Sequence, residues 1–327
     1  MTRRIVMVVD EMKNISSIAN ITRNDLEGNS AEQTLRLKAS LQTIAPVICY
    51  TNVAEFEIHI NEHLNDIVFP MYYGIAGLNA KGMVPVLCEL HHIPYVGADA
   101  YTQILCNDKS LSKQYSANFG VASPQGCLLR TTGWNQFTYE RLTKLRLPLV
   151  VKPNFGGGST GISVNSIVHS YEEGIALSEN LLQNFQIPIL IEEYMEGYEV
   201  ELIVAGAKGN IRFCEEVQLL MDGKSYFDHD IWGFETKEID DSSIEFCMSN
   251  HISEADRQKL QSLFHSFEKA EMMRFDGRVQ NGRFYLIELS PDCYLGDDCA
   301  FYYAFQNKGY THPQMFRFLI ENALGLG

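Results

Sequence analysis

Short apolar runs alternate with helical spacing through the first third of the chain. Residues 4–9, 46–50 and 66–69 read as strands, and residues 30–44 and 78–91 as helices. Strands separated by helices predict a parallel α/β unit, closed by Pro94-Tyr95-Val96-Gly97. A helix over 109–119 opens a second segment. There the strand 147–152 runs into a glycine-rich turn, a second strand near 161–168 and a helix over 171–183. The third segment starts at the apolar run Ile189-Leu190-Ile191 and continues with strands near 199–206 and 211–218. Residues 219–250 are polar and acidic and read as a long loop; loops of that length in compact domains are usually lids or disordered. A helix over 253–269 precedes a hairpin, 272–279 and 283–289, turned by Asn281-Gly282, and a last helix spans 312–323.

The chain has 327 residues, enough for two or three lobes, and its 46% hydrophobic and 20% charged residues are an ordinary globular mixture. Its formal charge of −15 disfavours nucleic acid and anionic lipid as partners. The apolar run Ile5–Val9 is too short for a membrane span or a signal segment, so it reads as a first strand. The eight cysteines include no CxxC pair, and several sit in apolar runs, which predicts buried free thiols in a reducing cytoplasm.

Three stretches carry candidate chemistry. In Lys152-Pro153-Asn154-Phe155-Gly156-Gly157-Gly158-Ser159-Thr160-Gly161, the glycines allow backbone N–H groups close to a phosphate chain, and Lys152 supplies a point charge. A flexible hairpin tip explains the same residues, and the loop alone favours neither reading. Asp276 and Glu288 interrupt the apolar strands of the hairpin. Carboxylates among apolar neighbours are costly unless paired or metal-bound, and oxygen ligands of this kind suit Mg²⁺ shared with phosphates. Arg274 projects from the same strand face as Asp276, either toward a transferring phosphoryl group or to pair with Glu288. The acidic run from Glu192 to Glu199 is, taken alone, an ordinary surface connection.

In this order the features resemble the ATP-grasp superfamily and, within it, the D-alanine–D-alanine ligases. The resemblance covers most of the chain and is strongest over 94–206 and 272–323. It implies a three-lobed α/β fold with α+β lobes: an N-terminal parallel substrate lobe (1–97), a central lobe with the glycine-rich loop (98–187), and a C-terminal lobe (188–327) with a metal site and the lid loop 219–250. It places the ATP lysines on Lys109 and Lys152 and the adenine linker on Glu192, Glu193, Tyr194 and Met195. The ribose-binding acid falls on Glu199, and the phosphate-covering loop on Gly156, Gly157, Gly158, Ser159 and Thr160. The metal ligands fall on Asp276, Glu288 and Ser290, and the catalytic arginine on Arg274. Gly158 and Ser159 stand where the family's loop contacts substrate. Glu32, in Ser30-Ala31-Glu32, stands where the family holds a substrate ammonium, although Ser30 also suits a helix cap.

The substrate side departs from the family. Its His-Gly-x-x-Gly-Glu-Asp-Gly stretch reads Tyr73-Gly74-Ile75-Ala76-Gly77-Leu78-Asn79-Ala80, Ser290 replaces a metal-binding asparagine, and the lid motif survives only in part as Tyr226–Trp232. Asp292, Asp297 and Asp298 fall where a second amino acid's carboxylate would bind, which suggests a cationic or carboxylate-free acceptor. The resemblance implies an ATP-dependent ligase of a small-molecule carboxylate and an amine, acting through an acyl phosphate with Mg²⁺ (or Mn²⁺), on a pair other than two D-alanines. A homodimer is implied by the family alone. Trp232 and Phe234 are the apolar groups expected to seal the lid. A small-molecule kinase shares the nucleotide side, and the lost lid lysine leaves room for a non-catalytic nucleotide-binding module.

Overall fold

The computed structural model describes residues 3–10, 28–74, 77–159, 161–228, 231 and 244–326. Thr160, Trp232 and Phe234 lie outside the described residues. Among those described, three sheets form.

The first sheet is parallel, in the order β2 (Val47–Tyr50), β1 (Ile5–Val9), β3 (Ile67–Met71). Helices α1 (Ala31–Gln42), α2 (Val53–His59) and α3 (Met83–Leu90) connect and flank it. Because side chains alternate along a strand, Val6, Val8 and Val68 pack with Phe56, Val84 and Cys88 on one face. Ile5, Met7, Val9 and Phe69 pack on the other.

The second sheet runs β4 (Gly126–Leu129), β7 (Ile189–Glu193), β5 (Leu149–Pro153), β6 (Ile167–Val168), with α6 (Gln136–Leu142) and α7 (Tyr171–Phe185) against it. β7, which opens the third segment in sequence, lies between β4 and β5 in this sheet. Its apolar face, Ile189 and Ile191, is buried with Leu149 and Val151, so its neighbours in space differ from β8, its neighbour in sequence. Of the first two helices in the expected central lobe, α4 (Ala100–Asn107) sends Leu105 and Cys106 into the core of the third sheet, and α5 (Lys109–Ala117) packs Tyr115 against it.

That third sheet is antiparallel, in the order β11 (Ile244–Met248), β9 (Asn210–Met221), β8 (Gly197–Ala207), β12 (Met272–Gln280), β13 (Arg283–Ser290), with β10 (Tyr226–Phe227) paired to β8. The stretch 219–250 is therefore not one loop: β9 reaches Met221, and Ile244–Met248 pairs with Met221–Val217. Ile244, Phe246 and Met248 do alternate along β11, but a run of five inside a polar, acidic stretch is too short to stand out in sequence. Likewise only residues 167–168 of the strand expected near 161–168 pair with β5; a 3-10 turn, Val164–Ser166, takes the rest. Helix α8 (Glu254–Ser266), capped by Ser253, covers one face of the sheet. Helices α9 (Ala300–Asn307) and α10 (His312–Ala323) fill the other side with Phe301, Phe305, Met315 and Phe316, in one core shared with the first sheet. All eight cysteines are free thiols.

The β12–β13 hairpin turns on Asn281 (φ 52°) and Gly282 (φ 75°), the left-handed pair that suits a tight two-residue turn. A bulge falls between Asp276 and Gly277. At Gly277 a Cβ would stand 2.3 Å from Phe284 Cζ and 2.6 Å from the Tyr285 carbonyl oxygen. Gly277→Ala is expected to destabilise the fold by about 1–3 kcal/mol through this overpacking. Urea denaturation checks it, and an unchanged midpoint would contradict the close approach at the bulge.

Candidate active site

Strand alternation builds the site. On β12, Met273, Phe275 and Val279 point into the core, so Arg274, Asp276 and Arg278 share the opposite face. Register then brings charged residues of three strands together: Arg278 lies opposite Glu199, Asp276 lies between Glu201 and Glu288, and Arg274 lies opposite Ser290. On the second sheet, Lys152 and Glu192 occupy the face opposite the apolar core of β5 and β7.

The cations here meet carboxylates. Glu192, 2% exposed, pairs with both Lys113 and Lys152. Burial pushes the Lys113 ammonium down to about 8, with Lys152 and Lys109 acting the same way against the pull of Glu192. Burial raises the Glu192 carboxyl, but Lys113 and Lys152 outweigh it and hold the group ionised. Lys109 bonds the Gly156 carbonyl oxygen and lies 2.9 Å from Glu288 Oε1. Burial pushes Glu288 up, yet Lys109, Lys152 and Lys81 together hold it down to about 2. Arg274 binds Asp276 through two bonds, Nε to Oδ1 at 2.7 Å and Nη2 to Oδ2 at 2.8 Å, and lies 3.4 Å from Glu201. It is thus tied to Asp276 rather than to Glu288, the partner considered from sequence, because both side chains rise from alternate positions of one strand.

The linker residues separate by strand parity. Glu192 faces the lysines, whereas Glu193 turns to the other side and accepts from the Arg146 backbone N–H (3.0 Å) and guanidinium (2.8 Å). Tyr194 and Met195 follow at the edge, and the Met195 carbonyl accepts from Arg278 Nη1 at 2.7 Å. Arg278 also donates to Glu199 Oε2 at 3.0 and 2.8 Å and lies over the Tyr194 and Phe227 rings. Sequence reading missed Arg278, although its position two residues past Asp276 assigns it to the same strand face.

The glycine-rich loop is anchored at its start. Asn154, fully buried, accepts from Ser110 N–H, donates to Asp108 Oδ1 at 2.8 Å, and gives its carbonyl to Lys109 N–H. Asn107 Oδ1 accepts from Gly156 N–H at 3.1 Å. Beyond that point Gly156, Gly158, Ser159 and Gly161 all adopt positive φ, so the backbone curls with Ser159 in a conformation that L residues rarely take. Gly157 lies in the same curl. Both asparagines went unassigned from sequence, where short amides near turns are too common to single out.

Glu32 stands exposed on the first turn of α1, and Ser30 forms a reciprocal capping box with Gln33. One turn on, Arg36 pairs with Asp297 (3.1 Å) and Asp298 (3.5 Å), while Lys81 pairs with Asp292 (2.8 Å). These three acids are therefore countered by cations of the N-terminal lobe. Their sequence positions had suggested a cationic acceptor, because no linear pattern shows partners more than two hundred residues away.

Asp276 and Glu288 are a directly opposed cross-strand pair, a placement from which two side chains can reach one ion. Among the described residues no cluster of three or more His, Cys, Asp or Glu could hold a metal. Two carboxylates with a nearby hydroxyl at Ser290 fit Mg²⁺, which keeps several waters and takes substrate phosphates as ligands. Also among the described residues, no helix is long and apolar enough to cross a membrane.

Residues 116–321 match the family model described as D-ala D-ala ligase C-terminus. A D-alanine–D-alanine ligase A of Salmonella typhimurium is 24% identical over 199 residues, 61% of this chain and 51% of that protein. A D-alanine–D-alanine ligase of Nitratiruptor is 29% identical over 232 residues, 69% of this chain and 62% of that protein. The chain thus matches about half the length of the first relative. The structure of a D-alanine–D-alanine ligase from Bacillus anthracis complexed with ATP superposes with a TM-score of 0.75 at 17% identity, covering 99% of this chain and 98% of that one. At that identity the likeness is one of fold, the α/β ATP-grasp arrangement. Because the matched segment is well over half of the chain, this protein belongs to the D-ala D-ala ligase C-terminus family.

Proposed function

We propose that the chain is an ADP-forming carboxylate–amine ligase. One observation carries the reading: Lys109 and Arg274 converge on the opposed carboxylates Glu288 and Asp276, beside the Glu192-bound Lys113 and Lys152. Binding adenosine alone requires no such set. It suits a reaction that shifts charge onto a transferring phosphoryl group.

In the proposed sequence a donor carboxylate oxygen attacks the γ-phosphorus of ATP. The bond to the bridging oxygen breaks, and its electron pair leaves with ADP. An amine then attacks the acyl carbon, the carbon–oxygen bond breaks, and phosphate departs. Lys109 and Lys152 neutralise charge on the phosphate chain, and Arg274, held by Asp276, meets the charge that develops at the transferring group. Asp276 and Glu288, with Ser290, would hold Mg²⁺, which when bound supplies further positive charge to the phosphate oxygens. Glu199, Met195 and the ring of Tyr194 form the nucleoside end, ordered by Arg278. Gly157, Gly158 and Ser159 cover the phosphates, and Glu32 orients a donor ammonium from α1. The boundary at residue 97 separates the substrate lobe from the two ATP-binding lobes, and the boundary at residue 187 separates those two from each other.

The substrate pair is proposed to differ from two D-alanines. The supporting features are the altered Tyr73–Ala80 stretch, Ser290, and Tyr294–Cys299. The acids at 292, 297 and 298 are already paired with Lys81 and Arg36 and lend no support to a cationic acceptor.

Incubation with Mg-ATP and pooled amino acids and amines is expected to release phosphate and yield a mass equal to acid plus amine minus water. A phosphorylated product would instead establish a kinase. Asp276→Asn is expected to lower turnover about 100-fold or more; unchanged turnover would refute the assigned role. Arg278→Met is expected to raise the KM for ATP about tenfold or more, because it leaves Glu199 and the Met195 carbonyl without their guanidinium. Arg278→Lys, which keeps the charge but not the fork, should recover only part of that affinity, and an ATP KM equal to wild type in Arg278→Met would remove the assignment.

A further inference from the structure

Lys81 has no role in the reaction described so far, yet the fold pairs it with Asp292, close in sequence to Glu288. It lies in the 3-10 turn Ala80–Gly82 of the N-terminal lobe, and its side chain is 7% exposed. Burying an ammonium this deeply is costly without a partner. The partner comes from the far lobe: Nζ lies 2.8 Å from Oδ2 of Asp292, four residues past Glu288.

The backbone around Lys81 is fixed on several sides. Gly74 approaches so closely that a Cβ there would stand 2.3 Å from the Lys81 amide nitrogen. The Gly74 N–H donates to Asp10 at 2.7 Å. Asn107 donates to the Leu78 carbonyl at 3.0 Å while accepting from Gly156 N–H, so one amide joins the turn that carries Lys81 to the glycine-rich loop. The field of Lys81 reaches Glu288 together with those of Lys109 and Lys152. Those two lysines come from α5 and β5, on the nucleotide side; Lys81 comes from the lobe that carries Glu32 and α1.

We propose that Lys81 is an anion-binding residue of the donor side, contacting the donor carboxylate and then the phosphoryl group it acquires, with Asp292 holding the ammonium in place until the anion arrives. The proposal rests on the ligase reading and adds to it. When the donor oxygen bonds to phosphorus and the electron pair leaves with ADP, negative charge divides between two products. Lys109 and Lys152 serve the departing diphosphate. A cation on the donor lobe stays with the acyl phosphate and keeps it in register for the amine. Lys81 exchanges one anionic partner for another.

The test uses the full chain with Mg-ADP and orthovanadate, followed by titration calorimetry. Lys81→Met is expected to weaken vanadate binding about tenfold or more while ADP affinity stays within about twofold. Lys81→Arg should retain most of the vanadate affinity. Asp292→Asn should tighten vanadate binding, because it removes the competing carboxylate. Opposite effects from the two members of one ion pair distinguish an anion site from a tether between lobes. Equal losses in Lys81→Met and Asp292→Asn would leave only the tether and overturn the proposal. So would a wild-type ADP complex that takes no vanadate, or takes it equally well without Lys81. A wild-type chain that fails to bind Mg-ADP would overturn the ligase reading itself, and this proposal with it.

Discussion

Charge in this cleft is paired before any ligand arrives, and the rest of the site depends on that pairing. Removing an ion from water costs several kcal/mol even after the protein relaxes. A sheet face that carries Arg274, Asp276 and Arg278 therefore needs complementary charges within reach. It finds them in Glu201, Glu199 and, from the second sheet and α5, in the lysines around Glu192 and Glu288. A phosphate chain entering such a site exchanges one set of anions for another. The cations do not have to be gathered, because the carboxylates have already fixed them.

The frame that makes the pairing possible is the β8–β12–β13 face. A period of two on β12, with the bulge restoring it on β13 between Leu286 and Leu289, sends Met273, Phe275, Leu286 and Leu289 into one core and the charged residues into the cleft. The turn at Asn281-Gly282 sets the register as far as Gly277, and the bulge beyond it shifts the pairing by one residue, so that Asp276 opposes Glu288. A slip of one residue would bury the charges and expose the core, so register and site are held by the same apolar contacts. Asn154 and Asn107 do the corresponding work on the other side, binding the glycine-rich loop to the start of α5 and so placing Lys109.

The three lobes are joined by apolar packing and by ions. One core runs from the first sheet through α9 and α10 to the third, so the lobe carrying Glu32 and Lys81 rests on the lobe carrying Glu288. Across that junction Lys81 meets Asp292, and Arg36 meets Asp297 and Asp298. The exposed pairs of Arg36 contribute little to stability. Their effect is on the local field, which they make less negative than the isolated acids would.

The sequence by itself determined the local elements and the order of the chemical groups. Strands with strict alternation, the Asn281-Gly282 turn and the lysine-led glycine run are all local patterns, and local patterns follow from backbone geometry and side-chain parity. The same parity assigns Arg274, Asp276 and Arg278 to one face, although Arg278 was passed over because nothing adjacent in sequence showed what an arginine there would hold. Short strands escaped: β11 is five residues inside a polar, acidic stretch, and β4 is only four residues long. Tertiary structure alone decided which sheet β7 joined, that Arg274 binds Asp276, that Glu193 turns away to Arg146, and that the acids at 292, 297 and 298 have partners. The physical reason is common to them all. Electrostatic partnership and sheet order depend on distances through space, and residues such as Lys81 and Asp292 are brought to 2.8 Å only after the cores between them have packed.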